Sequence, residues 1–175
     1  MENEAAHLYF QHWMWRRQLG YLLNPAIPMN DDCVVADVAS GTSIWLLDLA
    51  RDHPKATLEG FDISSAQYPH PRLLPDNVHL NILDILRPIP ADLRGKFDIV
   101  HVGLVVLVVE NGNPSALLEN LLTMLKPNGF LQWDEADFGG LSVESPSDCV
   151  PHVGLSELRD KVLKLMFELK GSDFG

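Results

Sequence analysis

Apolar and polar positions along this chain follow two rhythms. Over residues 5–23 apolar side chains recur every three to four positions, with Leu8, Trp15, Leu19 and Leu22 near one face. That spacing predicts a helix, closed by Asn24-Pro25. Short unbroken apolar runs then punctuate the chain: "CVVADV" at 33–38, "ATLEGFDI" at 56–63, "VHLNI" at 78–82, "FDIVHVGLVVLVV" from Phe97, and "FLQWD" at 130–134. Each begins with a strand-length segment, and several lack the clean alternation of a half-exposed sheet, so they read as strands buried on both faces.

The helical rhythm returns between these runs. Residues 44–52 place Ile44, Leu47 and Ala50 inward, with Ser43 as the N-terminal cap. Asn113 reads as a second cap and Pro114 as a first helical position. Leu118, Leu121, Leu122 and Leu125 then repeat along one face. "KPNG" stops that helix and turns the chain. A last amphipathic helix carries Leu155, Leu158, Val162, Leu165 and Leu169. Strands alternating with helices or long connectors predict an α/β fold: a Rossmann-like, doubly wound, mostly parallel sheet of about five strands. A single domain is expected over residues 1–175, with 1–30 an N-terminal helical segment. Such sheets take ligands at the carboxyl ends of their strands. Asp37, Asp62, Asp84, His101 to Gly103, and Trp133 to Glu135 fall there.

Composition narrows the function classes. A formal net charge of −11 argues against nucleic acid and anionic membrane surfaces, whose phosphates demand a basic face. No apolar run reaches the ~18 residues of a membrane span. The N-terminus "MENEAAHLYF" is acidic where an export signal would be basic. Cys33 and Cys149 are too few for a disulfide framework and read as reduced thiols, so a cytoplasmic protein is expected. No metal site is expected.

The candidate chemistry starts at "DVASGTS", residues 37–43, where a buried strand stops at a carboxylate and empties into small residues. It does not fit the G-x-G-x-x-G of dinucleotide binders. It resembles the D/E-x-G-x-G-x-G loop of class I S-adenosylmethionine-dependent methyltransferases. "LEGFDIS", "LNILDIL", "GKFDIVHVGLVVLVV" and "LLTMLKPNGFLQWDEAD" resemble that family's second to fifth strands, in order. The match covers about residues 20 to 137 and looks most like the fungal small-molecule enzymes related to LaeA and secondary-metabolite pathways.

The resemblance implies S-adenosylmethionine as cofactor and a small-molecule acceptor. Asp37 would order the loop or the ligand's ammonium end, and Ala39, Ser40 and Gly41 would lie against the methionine part. Asp62, followed by Ile63, would grip the ribose. Asp84 would accept from the adenine amino group while Ile85 packs on the ring. Val102 and Gly103 close the site from strand four. Orienting donor and acceptor carries most of such a reaction. A base is needed only for an acceptor that carries a proton; His101, Asp134 and Glu135 are the candidates. Trp133 would wall the acceptor pocket or belong to the core. His12 lies on a helix that in this family can cover the site. Asp98, at the start of strand four, reads as structural.

Two departures stand against that pattern. Ala39 and Ser43 replace loop glycines; if position 39 needs a positive φ, alanine costs about 1 kcal/mol there, and altered cofactor binding is expected. The family's sheet has seven strands, and the last two have no counterpart here. Strand five is therefore expected to be an open apolar edge, favouring an oligomer or a protein partner. The alternative reading is a non-catalytic, truncated protein of the same fold that binds or regulates a partner.

Overall fold

A computed structural model describes residues 2–106, 108, 109, 112–137, 154, 156, 157, 160, 161 and 164. The elements run α1 (Glu2–Leu19), β1 (Val34–Val38), α2 (Ile44–Asp52), β2 (Thr57–Asp62), β3 (Val78–Ile82), β4 (Phe97–Gly103), α3 (Ser115–Met124) and β5 (Leu125–Asp134). All five strands are parallel, in the order β3-β2-β1-β4-β5. The expected α/β sheet is therefore present, and the strand order reverses between β1 and β4. At that reversal the connections leave in opposite directions and open a crevice.

Two compact units divide the chain: Met1–Gly103 with Pro114–Asp134, and Leu104–Asn113 with Glu135–Gly175. The sheet and helices α1, α2 and α3 lie in the first. In the second, Val105 and Val109 are buried, and Val108 N donates to Val105 O at 2.9 Å. Leu155, Leu158, Val162, Leu165 and Leu169, expected to form a last helix, lie outside the described residues, as does Cys149.

One face of the sheet is covered by α2 and the 20–30 connector. Trp45, Leu46 and Leu49 pack with Val35, Leu58, Val78 and Ile99, and Leu22, Leu23, Ile27 and Met29 close over them. α3 packs against β4 and β5 through Leu117, Leu121 and Met124. Among the described residues no helix is long and apolar enough to cross a membrane, and β5 is the sheet's edge.

Several local expectations are corrected. α1 stops at Leu19, because Gly20 takes a φ of +77° and closes the last turn on Arg16 O. In α2 the buried residues are Trp45, Leu46, Asp48, Leu49 and Ala50, while Ile44 and Leu47 are half-buried. The helix is covered on two sides, by the sheet and by α1, so one inward stripe does not describe it. In α3 the buried face holds Leu117, Leu121 and Met124, and Leu122 is 50% exposed. The leucine-rich helix offers two overlapping stripes, and Leu125, counted in the expected one, already belongs to β5. Pro114 occupies the N-cap position, one residue earlier than expected.

"KPNG" is not a turn that precedes strand five; it is an irregularity within it. Leu125 pairs with Phe97 and Phe130 with Ile99, so extra β5 residues bulge out between the two pairings. Asn128 takes a φ of +65° there. A Cβ at Gly129 would lie 3.0 Å from Asp98 O and 3.1 Å from Lys126 O, so the close approach of backbone requires the glycine.

Candidate functional site

After Val38 the backbone turns left-handed at alternate residues: Ala39 at φ +57°, Gly41 at +52° and Ser43 at +59°. These are the positions of the three glycines in the loop pattern. The condition set for a strained Ala39 is thus met. Ser43 does not cap α2. Its φ removes it from the extended geometry of a cap, and its nearest hydroxyl partner is Ser40 Oγ at 3.5 Å.

The loop is sewn to the end of β2. Ser40 N donates to Phe61 O at 3.0 Å, and Ser43 N donates to Ser40 O at 2.7 Å. Gly41 N donates to Asp62 Oδ2 at 2.9 Å, while Asp62 Oδ1 accepts from Ser64 N at 3.1 Å. Asp62 therefore meets the loop directly and keeps lone pairs for further donors. Ile63 beside it is 69% exposed. A Cβ at Gly60 would lie 2.6 Å from Leu80 Cδ2 and 2.9 Å from Leu46 Cδ1, so a side chain on the strand behind the loop would have to displace both leucine ends.

One strand further out, Asp84 follows β3. Its Oδ1 accepts from Leu86 N at 3.0 Å, and its Oδ2 lies 3.4 Å from Arg87 Nε. Ile85 is buried at 8% exposure. Tyr68, which no sequence signal singled out, bridges this region. Its hydroxyl donates to Asn81 O at 2.7 Å and is hydrogen-bonded to Ser40. Burial pushes the Tyr68 phenol above its ordinary pKa.

A buried polar row crosses three adjacent strands. Asp37, His101 and Gln132 are register partners on β1, β4 and β5, so their side chains rise on one face. His101 is 6% exposed. Its Nδ1 lies 2.7 Å from Asp37 Oδ1 and its Nε2 3.3 Å from Asp134 Oδ2. Trp45 stacks on the imidazole, with ring centroids 4.0 Å apart and planes 2° from parallel. Burial works to lower the His101 pKa, but hydrogen bonds to Asp134 and Asp37 and their charges outweigh it, pushing it up to about 9. Burial likewise works to raise Asp134, and His101 and Gln132 hold it below the usual carboxylate range. Gln132 Nε2 donates to Asp134 Oδ2 at 2.8 Å and to Leu22 O at 3.1 Å, and its Oε1 accepts from Asn24 N at 2.8 Å. Trp45 Nε1 donates to the same Leu22 O at 3.2 Å.

Val102 is fully buried between Val38 and Trp133 in the register, and Gly103 pairs with Asp134. Helix α1 lies on the loop: a Cβ at Gly41 would be 3.4 Å from Leu8 Cδ1. It is clasped there by buried Asp48, which bonds His12 Nε2 at 3.0 Å and Arg16 Nη1 at 2.7 Å on α1, and Arg51 at 2.7 Å on α2. Burial works to raise the Asp48 carboxyl, and the hydrogen bond with His12 and the Arg16 and Arg51 guanidinium groups hold it below its ordinary pKa. Asp98 accepts from Val34 N at 2.8 Å and from Lys126 Nζ at 2.7 Å, tying the amino ends of β1, β4 and β5.

The structure thus brings Asp37, His101 and Asp134 together, and joins the 39–43 loop to Asp62. Asp84 sits a strand away, engaged with its own segment. Glu135 belongs to the second unit, where its Oε1 accepts from Ala136 N at 3.2 Å. Sequence reasoning missed Trp45, Asp48, Tyr68 and Gln132. Gln132 did leave a signal, a lone amide inside an apolar strand; a polar residue there must find a buried partner.

Comparison with known proteins follows the same outline. Residues 35–129 match the family model described as "Methyltransferase domain". Methyltransferase grgD of a Penicillium species is 36% identical over 98% of this chain and 61% of its own length. N-methyltransferase verN of Clonostachys rogersoniana is 31% identical over 75% of this chain and 46% of its own. The chain therefore spans about half to three-fifths of the length of these relatives. Among solved structures, the plantazolicin methyltransferase BpumL, determined with a pentazolic desmethyl analogue and SAH, superposes with a TM-score of 0.53. It covers 65% of this chain and 49% of its own at 21% identity, a likeness of fold.

Proposed function

Because the chain belongs to the methyltransferase-domain family, we propose that it binds S-adenosylmethionine at the carboxyl ends of β1, β2 and β3 and methylates a small-molecule acceptor of secondary metabolism. The observation that carries the reading is the junction of loop and carboxylate. Alternate left-handed residues 39, 41 and 43 stand beside Asp62, which is bonded to Gly41 N, next to the reversal of strand order. The loop keeps side chains small where a ligand must meet backbone.

The residues fit the cofactor's parts. Backbone of Ala39, Ser40 and Gly41 would lie against the methionine portion, with Asp37 behind it. The Asp62 carboxylate would accept from the ribose hydroxyls, a charged and therefore strong acceptor. Exposed Ile63 and buried Ile85 would flank the base, and Asp84 would accept from its amino group. Val102 and Gly103 would close the site from β4. Bound S-adenosylmethionine supplies a methyl group already activated on a sulfonium, so the chain's own task is alignment and exclusion of water. Glu135 is the proposed base for an acceptor that carries a proton.

The relatives are fungal methyltransferases by name, which supports the substrate class. A cytoplasmic location is part of the proposal, supported by the free, buried thiol of Cys33. For partners it extends only to the small-molecule acceptor; the comparisons offer no support for an oligomer through β5. Calorimetric titration with S-adenosylmethionine and its demethylated product tests the proposal. Saturable heat with both is expected. A folded chain that binds neither would remove it.

A further inference from the structure

His101 has no free ring nitrogen, and its surroundings are built to hold a cation. Its two hydrogen bonds reach carboxylates on two different strands, Asp37 at the head of the small-residue loop and Asp134 at the end of β5. The imidazole is clamped flat against Trp45. With a neutral ring, one of those nitrogens would carry no proton and would set its lone pair against a carboxylate oxygen, buried Asp37 or half-buried Asp134.

We propose that His101 is a positioning residue, an imidazolium that holds Asp37, and through it the 38–43 loop, in the geometry that receives the cofactor. The groups that act on it are accounted for on every side. Asp37 comes from β1 and Asp134 from β5, and Trp45 of α2 and Gly103 of β4 are uncharged. No cation competes with it among the interactions that set its titration. Gln132 supports the far carboxylate through Asp134 Oδ2. A ring whose two protons are committed to two carboxylates has no free lone pair and is not available as a general base, so this role replaces the catalytic one considered for His101 from sequence.

The inference rests on the cofactor reading above, and its test separates the two. The first arm needs no ligand. In nitrogen-edited NMR spectra of the chain, both ring nitrogens of His101 should be protonated at neutral pH. The ring should titrate only in the alkaline range, and the amide signals of residues 38–43 should move with the same midpoint. Asp134→Asn should lower that midpoint, and His101→Asn, if folded, should abolish the step in the loop amides. A neutral ring at neutral pH, or loop amides that ignore the titration, overturns the inference.

The second arm adds S-adenosylmethionine. Its affinity should fall about tenfold as the ring deprotonates, and by reciprocity saturation should raise the His101 midpoint by about one unit. Affinity independent of pH across that midpoint overturns the positioning role. A parent chain that binds no S-adenosylmethionine at any pH removes the methyltransferase reading, while the first arm still decides whether His101 positions the loop.

Discussion

Replacing Ala39 with glycine should make this protein more stable, against the usual direction of such changes. Ala39 holds a φ of +57°. A Cβ in that region crowds the following carbonyl and costs about 1–2 kcal/mol. Glycine removes the crowding but gains freedom in the unfolded chain, which offsets about 0.4–1 kcal/mol. Ala39 is exposed, so its methyl contributes little apolar burial. The difference is a gain of roughly 0.8 kcal/mol, or about 2–3 °C in melting temperature for a chain of this length. Thermal unfolding followed by circular dichroism, parent and variant side by side, measures it. The mirror experiment is Gly41→Ala, which places a Cβ at φ +52° and 3.4 Å from Leu8 Cδ1 and should lower the midpoint. An unchanged or lower midpoint for Ala39→Gly would refute the reasoning and show that the loop relaxes around alanine at no cost.

Three further outcomes follow from the geometry. Gly60→Ala should destabilise by about 1–3 kcal/mol, because the new Cβ meets Leu80 and Leu46 inside ordinary contact distance; a denaturant midpoint equal to the parent's would contradict it. Asp62→Ala should weaken S-adenosylmethionine binding by about 1.5–3 kcal/mol, and Asp62→Asn, which keeps an acceptor for Gly41 N, should retain the parent's loop while losing the charge; calorimetric affinity equal to the parent's in both would displace the ribose from Asp62. Stability should fall on the alkaline side: the folded His101 pKa of about 9 is raised above its ordinary 6.5, so its contribution is complete below that ordinary value and is lost as pH climbs through about 9. Denaturant midpoints should drop across that window by an amount on the order of a few kcal/mol, and a flat profile would contradict the buried imidazolium.

The strands were legible because their composition left few alternatives. Val35, Val38, Ile99 and Val102 could only be interior, and the acids that end β1 and β2 marked the ligand side. The loop was legible for the same reason: small residues there announce backbone that something must approach. Sequence failed where a choice depended on packing partners. Nothing in "SALLENLLTML" says which leucine stripe meets the sheet, because the answer depends on where β5 begins. Nothing along the chain marks Asp48 as buried, because the partners that accompany its burial, His12 and Arg16, arrive from α1. His101 was visible as a candidate, but its two carboxylates come from β1 and β5, and spacing along one strand does not reveal partners across three.

The double acceptance at Leu22 O has a consequence for how the chain comes into being. That carbonyl takes one hydrogen bond from Trp45 and another from Gln132, the latter spanning 110 residues. During synthesis the first bond becomes available early and the second only after β5 has been made. At ribosomal rates the interval is roughly 5–20 s. For the last part of it, roughly 1.5–6 s, β4 and its half-paired histidine wait beside a sheet that lacks its fifth strand. The connector that shapes the finished site is thus made well before the strand that secures it. A ribosome pause before residue 132 would prolong exposure of the apolar side of β4, the stage at which a chaperone has most to hold.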